Sequence, residues 1–340
     1  MNLRVTNSTL LALLGFLTLS GAYSIVWPTP AWLYDAHRYA GFGLIALLPW
    51  KAGIAWRSLR RGVGPKSDRN IMLGVSLLMA TAQLTVLSLA VIWAGNFWPA
   101  LTILGDTAIS WHWMIALGIL PFLALHVWRR WPKPKARELV TRRAALRYLG
   151  WGAAALAGWQ AMGFLARVRQ SAEAPRATTG SVEQGSFSGN AMPVTHSLTE
   201  SAPRLDAATW ALSIGGAVSR PTTLTYDAIA ARPQSEITAT LDCTSGWFCT
   251  QHWQGTPLSD YLAEAGLLPE AGAIRLTAAS GYVADFPLEE AQSILLATRV
   301  GGETLDHWHG FPVRAVAPTR RGWHWVKWVT SVEVRAGPKA

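Results

Sequence analysis

Cysteine is almost missing from this chain: Cys243 and Cys249 are the only two in 340 residues. At most one disulfide can form, and in an exported domain that pairing stays open as an alternative to two free thiols. Charge is scarce too. Only 15% of residues are charged and 50% are hydrophobic. That is too apolar for one soluble domain and suits a membrane part plus one globular domain. Acidic residues are the rarer sign, 20 against 30 Lys and Arg, leaving a net charge of +10. Such an excess invites a nucleic-acid surface, but the basic residues gather in short loops between apolar runs, so no nucleic-acid partner is expected. His252, His307 and His324 lack the spacing of a separate zinc site.

What the sequence does have is long apolar runs. Five precede a low-complexity stretch, at residues 9–26, 36–55, 71–93, 109–127 and 144–165. Each reaches the roughly 20 residues that span a bilayer core. The first lacks a convincing signal-peptidase site and is followed by other spans, which favours an anchor over a signal peptide. Trp27, Trp32, Trp56, Trp93, Trp98, Trp111, Trp128 and Trp131 sit near the ends of runs, as an interfacial belt in membrane lipid requires. The loop after the second run carries Arg57, Arg60, Arg61, Lys66 and Arg69. The loop after the fourth carries Arg129, Arg130, Lys133, Lys135, Arg137, Arg142, Arg143 and Arg147, while the first and third loops carry almost none. The positive-inside bias then predicts a multi-pass protein of the cytoplasmic membrane, with a cytoplasmic N-terminus and the C-terminal domain on the periplasmic side. Arg142-Arg143 also resembles an internal twin-arginine export motif, and equally reads as two more topology-setting arginines.

Ionisable residues inside such runs are costly, which makes them functional candidates. His37 opens the second run and His112 the fourth, both near the outer face. His126 follows His112 by fourteen residues, nearly on the same helical face and about 21 Å further down. The residue fourteen after His37 is Lys51, not His. The pattern predicts one outer haem b on His37 and His112. A second, inner haem at His126 has only Lys51 to face it, and His126 reads equally as an interfacial residue beside Trp128 and Arg129. A quinone site is the other reading of these histidines. The stretch loosely resembles bacterial cytochrome b561-like four-helix domains, over roughly residues 9–130.

Residues 167–205 are rich in Ser, Ala, Gly and Thr, and read as a tether or a surface-hugging strap. The predicted organisation is therefore an all-α bundle over 1–166, a linker over 167–205 and a globular domain over 206–340. In the last part short β-rich runs (212–214, 237–241, 274–277, 313–316, 325–334) alternate with helical stretches (226–231, 258–265, 288–294). That order predicts an α+β domain. One thiol, Cys243, stands in a turn after an apolar run, in Leu241-Asp242-Cys243-Thr244-Ser245-Gly246-Trp247. Further on, Arg314 follows the Gly/Pro turn of His309-Gly310-Phe311-Pro312-Val313, and Val326-Lys327-Trp328-Val329 comes after it. A thiolate is a soft metal ligand, and Arg and Lys beside turn amides suit a phosphate.

These motifs, with Leu212-Ser213-Ile214-Gly215-Gly216-Ala217-Val218, Trp253-Gln254-Gly255-Thr256-Pro257-Leu258 and Ser280-Gly281-Tyr282, resemble in order and spacing the molybdopterin-binding domain of the sulfite oxidase family. The periplasmic methionine sulfoxide reductase branch is the most similar. The resemblance implies a Mo-molybdopterin cofactor with Cys243 as the molybdenum ligand and catalytic residue. It implies that Arg314 and Lys327 anchor the cofactor's phosphate and pterin end, that His309 touches it, and that the backbone amides of Trp325 and Val326 add to the clamp. In the methionine sulfoxide reductase branch Asn stands in place of His309. The resemblance needs Cys243 free and gives Cys249 no ligand role.

Sulfite oxidases carry a basic cluster after the ligating Cys, whereas Cys243 is followed by uncharged Thr-Ser-Gly-Trp. The chain also ends soon after Val334, without the dimerisation domain of sulfite oxidases. Both points, with the aromatic surroundings of Trp247, Trp253, Trp308 and Trp323, favour reduction of a neutral S-oxide, methionine sulfoxide or the like, with electrons drawn from the quinone pool. Arg320 and Arg321 remain as residues that could bring an anion to the site. The alternatives are oxidation of sulfite or another sulfur compound, and an electron-transfer cytochrome with a non-catalytic outer domain.

Overall fold

Each of the five apolar runs forms helix. The computed structural model describes residues 3–27, 29–61, 66–97, 102–104, 106–130, 141–169, 175–195 and 202–337. Trp98, Trp131, Lys133, Lys135 and Arg137 lie outside them. The chain divides into two units. The first comprises residues 1–25 and 29–180, the second 26–28 and 181–340.

The first unit is helical. Its elements are α1 (Leu3–Val26), α2 (Ala31–Arg61), α3 (Lys66–Ala94), a two-residue ribbon of β1 (Thr102–Ile103) and β2 (Asp106–Thr107), α4 (Ala108–Gly118), α5 (Leu120–Arg130) and α6 (Arg142–Arg169). Helices α4 and α5 form one run interrupted near Pro121, which has no N–H to donate to the carbonyl four residues back. Among the described residues, three stretches are long and apolar enough to cross a membrane: Leu3–Ile25, Leu73–Ala94 and Ala108–Arg129. Helices α2 and α6 are as long, at 31 and 28 residues, but more polar. Of the five expected spans, three thus meet the criteria of length and apolarity.

Polar groups and glycines join these helices. Trp151 Nε1 donates to Gly43 O at 2.6 Å, and Tyr39 Oη to Gly152 O at 3.2 Å, tying α2 to α6. A Cβ on Gly43 would stand 2.8 Å from the Trp151 ring, so this approach needs glycine. Between α1 and α2, Ser20 Oγ lies 2.8 Å from His37 Nδ1, and Lys51 Nζ donates to Asn7 Oδ1 at 3.1 Å. The two links run in opposite chain directions, as an antiparallel helix pair requires.

The second unit holds two sheets around one core. One sheet joins β3 (Val182–Glu183), β6 (Ser235–Asp242), β7 (Trp247–Pro257), β10 (Leu295–Val300), β11 (Glu303–Thr304) and β12 (Arg314–Val316). The other runs in the order β5 (Thr222–Thr225), β4 (Ala211–Gly216), β13 (Val329–Ala336), β8 (Ala271–Ala278), β9 (Val283–Pro287). Pairing is antiparallel except for β3 with β7 and β4 with β13. Helices α7 (Tyr226–Ala230) and α8 (Leu258–Ala265) and a 3-10 turn at Leu288–Ser293 complete it. Sheet and helix alternate, as the α+β expectation has it, with residues 288–293 forming 3-10 in place of α-helix.

The central strand β7 escapes a search for aliphatic runs. Its inward side chains are Trp247, Cys249, Gln251 and Trp253, alternating with outward Phe248, Thr250 and His252. The period is that of a strand, but Cys and Gln occupy core positions that Val or Ile usually fill. The expected strand over 325–334 begins only at Val329, because residues 322–328 form a 3-10 turn and a bend.

Gly255 shows why the Trp-Gln-Gly-Thr-Pro run needs its glycine. A Cβ there would lie 2.1 Å from Leu296 O and 2.6 Å from Ala297 Cα, both backbone of the neighbouring β10. Gly255→Ala is expected to destabilise the second unit by about 3 kcal/mol, the upper range for overpacking against atoms that cannot rotate away. A drop in the melting temperature of the detergent-purified protein would report it. An unchanged melting temperature would mean that β7 and β10 part at this point.

Candidate molybdenum and haem sites

Cys243 sits at the tip of the β6–β7 hairpin, whose register pairs Leu241 with Cys249 and Asp242 with Phe248. The tip is closed by Cys243 N donating to Trp247 O at 2.8 Å and Gly246 N to Cys243 O at 3.2 Å. Ser245 N points at Cys243 Sγ from 3.5 Å. The preceding Asp242 is held by Ser181 Oγ at 2.7 Å and Arg321 Nη2 at 3.1 Å, and Arg321 Nη2 also donates to Cys243 O at 3.0 Å. Gly322 packs against the Cys243 backbone. The thiol is partly exposed on a loop fixed by backbone and ion-pair contacts.

Cys249 is the opposite case. It is fully buried, with Sγ 3.7 Å from Met192 Sδ, and burial pushes its thiol up to about 11. Both cysteines are free, so the disulfide alternative is not formed.

Arg314 on β12 is buried, donates to His309 O at 3.0 Å, and lies over the rings of Trp253 (5.4 Å) and Trp325 (5.9 Å). Lys327 Nζ donates to Thr195 O at 2.9 Å and lies 5.1 Å from the Trp328 ring centroid. Gly310, at φ +110, allows the 309–312 turn to approach Lys327: a Cβ there would be 3.1 Å from Lys327 Cα.

His309 is buried, with Nδ1 2.7 Å from Asp306 Oδ1 and Nε2 3.1 Å from Met192 O. Burial pushes its imidazole below the ordinary range, against the pull of Asp306. Both ring nitrogens are thus taken by the protein. The amides expected to join a clamp are also engaged: Trp325 N donates to Gly322 O at 3.1 Å and Val326 N to His324 O at 3.1 Å. In this conformation His309, Trp325 and Val326 bond within the protein and brace the turn.

Arg320 and Arg321, the two residues expected to be able to bring an anion, are both paired. Arg320 makes a two-armed pair with Glu290, at 2.8 and 2.5 Å, and Arg321 is paired with Asp242. Of the four tryptophans expected near the site, Trp247 and Trp253 are core residues. Trp308 and Trp323 are exposed.

Of the two readings of the low-complexity stretch, tether or strap, residues 181–195 follow the strap. Residues 181–195 are threaded into the second unit: Val182 pairs with Trp247 in parallel, Met192 O meets His309, and Thr195 meets both Lys327 and Trp247 Nε1.

The donor set suits a molybdenum pterin. It offers one soft thiolate and two nearby cations on buried or half-buried stems. Among the described residues no three of His, Cys, Asp and Glu converge as a metal site. One protein ligand at Cys243 suits a metal whose other ligands come from an organic cofactor.

In the first unit, His37 and His112 meet edge to face with ring centroids 6.4 Å apart. Ser20 Oγ gives its proton to Phe16 O at 2.7 Å and so accepts from His37 Nδ1. His112 Nδ1 donates to Val86 O at 2.9 Å. Both rings therefore carry their proton on Nδ1 and keep the Nε2 lone pair, the arrangement of a metal-ligating histidine. Two neighbouring imidazoles, each with Nε2 left as the acceptor, are a donor set that would suit a haem iron. Lys51 is bonded to Asn7 on α1.

Residues 199–340 match the model of the oxidoreductase molybdopterin-binding domain. The protein is a molybdenum oxidoreductase. The uncharacterized oxidoreductase YuiH of Bacillus subtilis (strain 168) is 32% identical over 166 residues, which cover 45% of this chain and 83% of that protein. Human mitochondrial sulfite oxidase is 32% identical over 181 residues (44% of this chain, 32% of that enzyme), and rice (Oryza sativa subsp. japonica) nitrate reductase 1 (NADH) is 31% identical over 168 residues (39% and 18%). The chain belongs to the sulfite oxidase family of molybdopterin oxidoreductases, and spans less than a third of the human and rice enzymes.

Proposed function

We propose that this protein is a membrane-anchored reductase of neutral S-oxides. In this reading it acts outside the cytoplasmic membrane and draws electrons from the quinone pool through one haem b in a cytochrome b561-like bundle. The observation that carries the choice of substrate lies at Cys243: Arg321, which donates to Cys243 O, is paired with Asp242, and the exposed ring next to Gly322 is Trp323. An exposed aromatic ring and an arginine already paired with a carboxylate suit a weakly polar sulfoxide better than sulfite.

When bound, the molybdenum cofactor supplies oxygen-atom exchange coupled to two electrons. Cys243 holds the metal, and the closed hairpin keeps its thiolate in place. Arg314 and Lys327 orient the cofactor through its anionic end. His37 and His112 hold the haem that carries electrons one at a time. In balance, a sulfoxide, two electrons and two protons give the sulfide and water.

The test is a visible spectrum of detergent-purified protein reduced with limiting dithionite. A b-type band that vanishes on adding methionine sulfoxide supports the reading. A band that stays reduced, with molybdenum present, overturns it and favours oxidation of sulfite or another sulfur compound. A preparation that holds haem but no molybdenum points to an electron-transfer cytochrome.

A further inference from the structure

The end of the helical unit where α2 begins and α3 ends carries an arginine pair that the reading above leaves unused. Arg176 Nη2 donates to Asn96 Oδ1 at 2.8 Å and Nη1 to Gly180 O at 3.3 Å, and its guanidinium lies 5.0 Å over the Trp93 ring. Its Nε is buried without a hydrogen-bond partner. Arg38 Nη2 donates to Thr178 O at 3.3 Å in the same loop, and Arg38 Nη1 reaches Asp35 only at 3.4 Å. A Cβ on Gly180 would touch both Arg38 Nη2 (3.3 Å) and Trp93 Nε1 (3.4 Å), so loop, tryptophan and both arginines converge. Burial and the neighbouring Arg38 push the Arg176 guanidinium down to about 10. Among the described residues, Asp35 is the one carboxylate that forms an ion pair with either arginine.

This pair lies beside the two histidines. Arg38 follows His37 directly. Trp93, which carries Arg176, is two turns along α3 from Val86, which anchors His112, a rise of about 10 Å. A porphyrin held by the two histidines with one edge toward this end of the bundle would bring that edge toward the arginine pair. A haem is amphipathic and carries its two carboxylates on one edge.

We infer that Arg38 and Arg176 form a dianion site that receives the propionate carboxylates of the haem held by His37 and His112. This rests on the haem reading given above. The Arg176 Nε–H and the weakly paired Arg38 then gain charge-assisted partners, and the porphyrin is fixed in one orientation about the iron axis.

The test follows haem loss from full-length, detergent-purified protein to excess apomyoglobin, with natural haem and with haem dimethyl ester, whose propionates are uncharged. Arg176→Gln is expected to release natural haem about tenfold faster than wild type, the scale of a lost hydrogen bond to a charged group, and to release the ester no faster. Arg176→Lys should fall between. Equal release of natural haem from wild type and Arg176→Gln overturns the inference, as does equal acceleration of both haems. So does loss of co-purifying anionic phospholipid with haem release unchanged, which would assign the pair to lipid headgroups. A wild type that takes up no low-spin haem overturns the haem reading itself, and this inference with it. Low-spin haem bound with no dependence on Arg176 overturns the inference alone.

Discussion

Cys243→Ala is expected to abolish sulfoxide reduction measured with a chemically reduced dye, by at least about 100-fold. Loss of groups that merely support a metal's ligands costs 10–100-fold, and loss of a ligand costs more. The fold should survive. The hairpin tip is closed by backbone bonds, and Asp242, Ser181 and Arg321 hold it without the thiol. Cys249→Ala makes the matched control. That side chain is buried against Met192, so its removal should cost about 1 kcal/mol of stability through the small cavity it leaves, with turnover changed only a few-fold. Activity and melting temperature of the two variants, side by side, separate ligation from packing. Full activity in Cys243→Ala would move the metal elsewhere.

The second large effect is expected in the helical unit. His112→Ala, and separately His37→Ala, should lower the haem content of the purified protein at least about tenfold, because each ring is pre-set to offer Nε2 and no other side chain replaces it. Lys51→Ala should leave the haem band in place, since Lys51 is bonded to Asn7 and has no part in the pair. Dye-driven turnover at Cys243 should persist in the histidine variants, while turnover driven by a quinol should be lost. Pyridine haemochrome assay and the two turnover assays read this out. A full haem band in either histidine variant would overturn axial ligation by that pair.

Much of this was legible in the amino-acid sequence, for reasons that differ by region. The helices followed from apolar length, and the pairing of His37 with His112 from the cost of placing imidazole in an apolar run. The Cys243 hairpin was read from a turn after an apolar strand and from resemblance. What sequence did not disclose was which donors are already spent. His309, Trp325 and Val326 look available as residue types, yet each is committed to a neighbour that only folding brings near. Arg320 and Arg321 look like an anion trap until Glu290 and Asp242 come into place. Strand β7 was hidden by Cys and Gln at core positions.

The strap carries a consequence for how the catalytic part can be moved between proteins. The match to the family domain begins at residue 199, but this part of the folded unit begins at Ser181. Val182 supplies an edge strand, Met192 covers Cys249, and Thr195 caps Lys327. A transplant cut where the homology starts would leave these positions uncovered and open a sheet edge beside the thiol-bearing hairpin. The transferable module is therefore longer than the recognisable one, and its first fifteen residues come from sequence that looks like spacer.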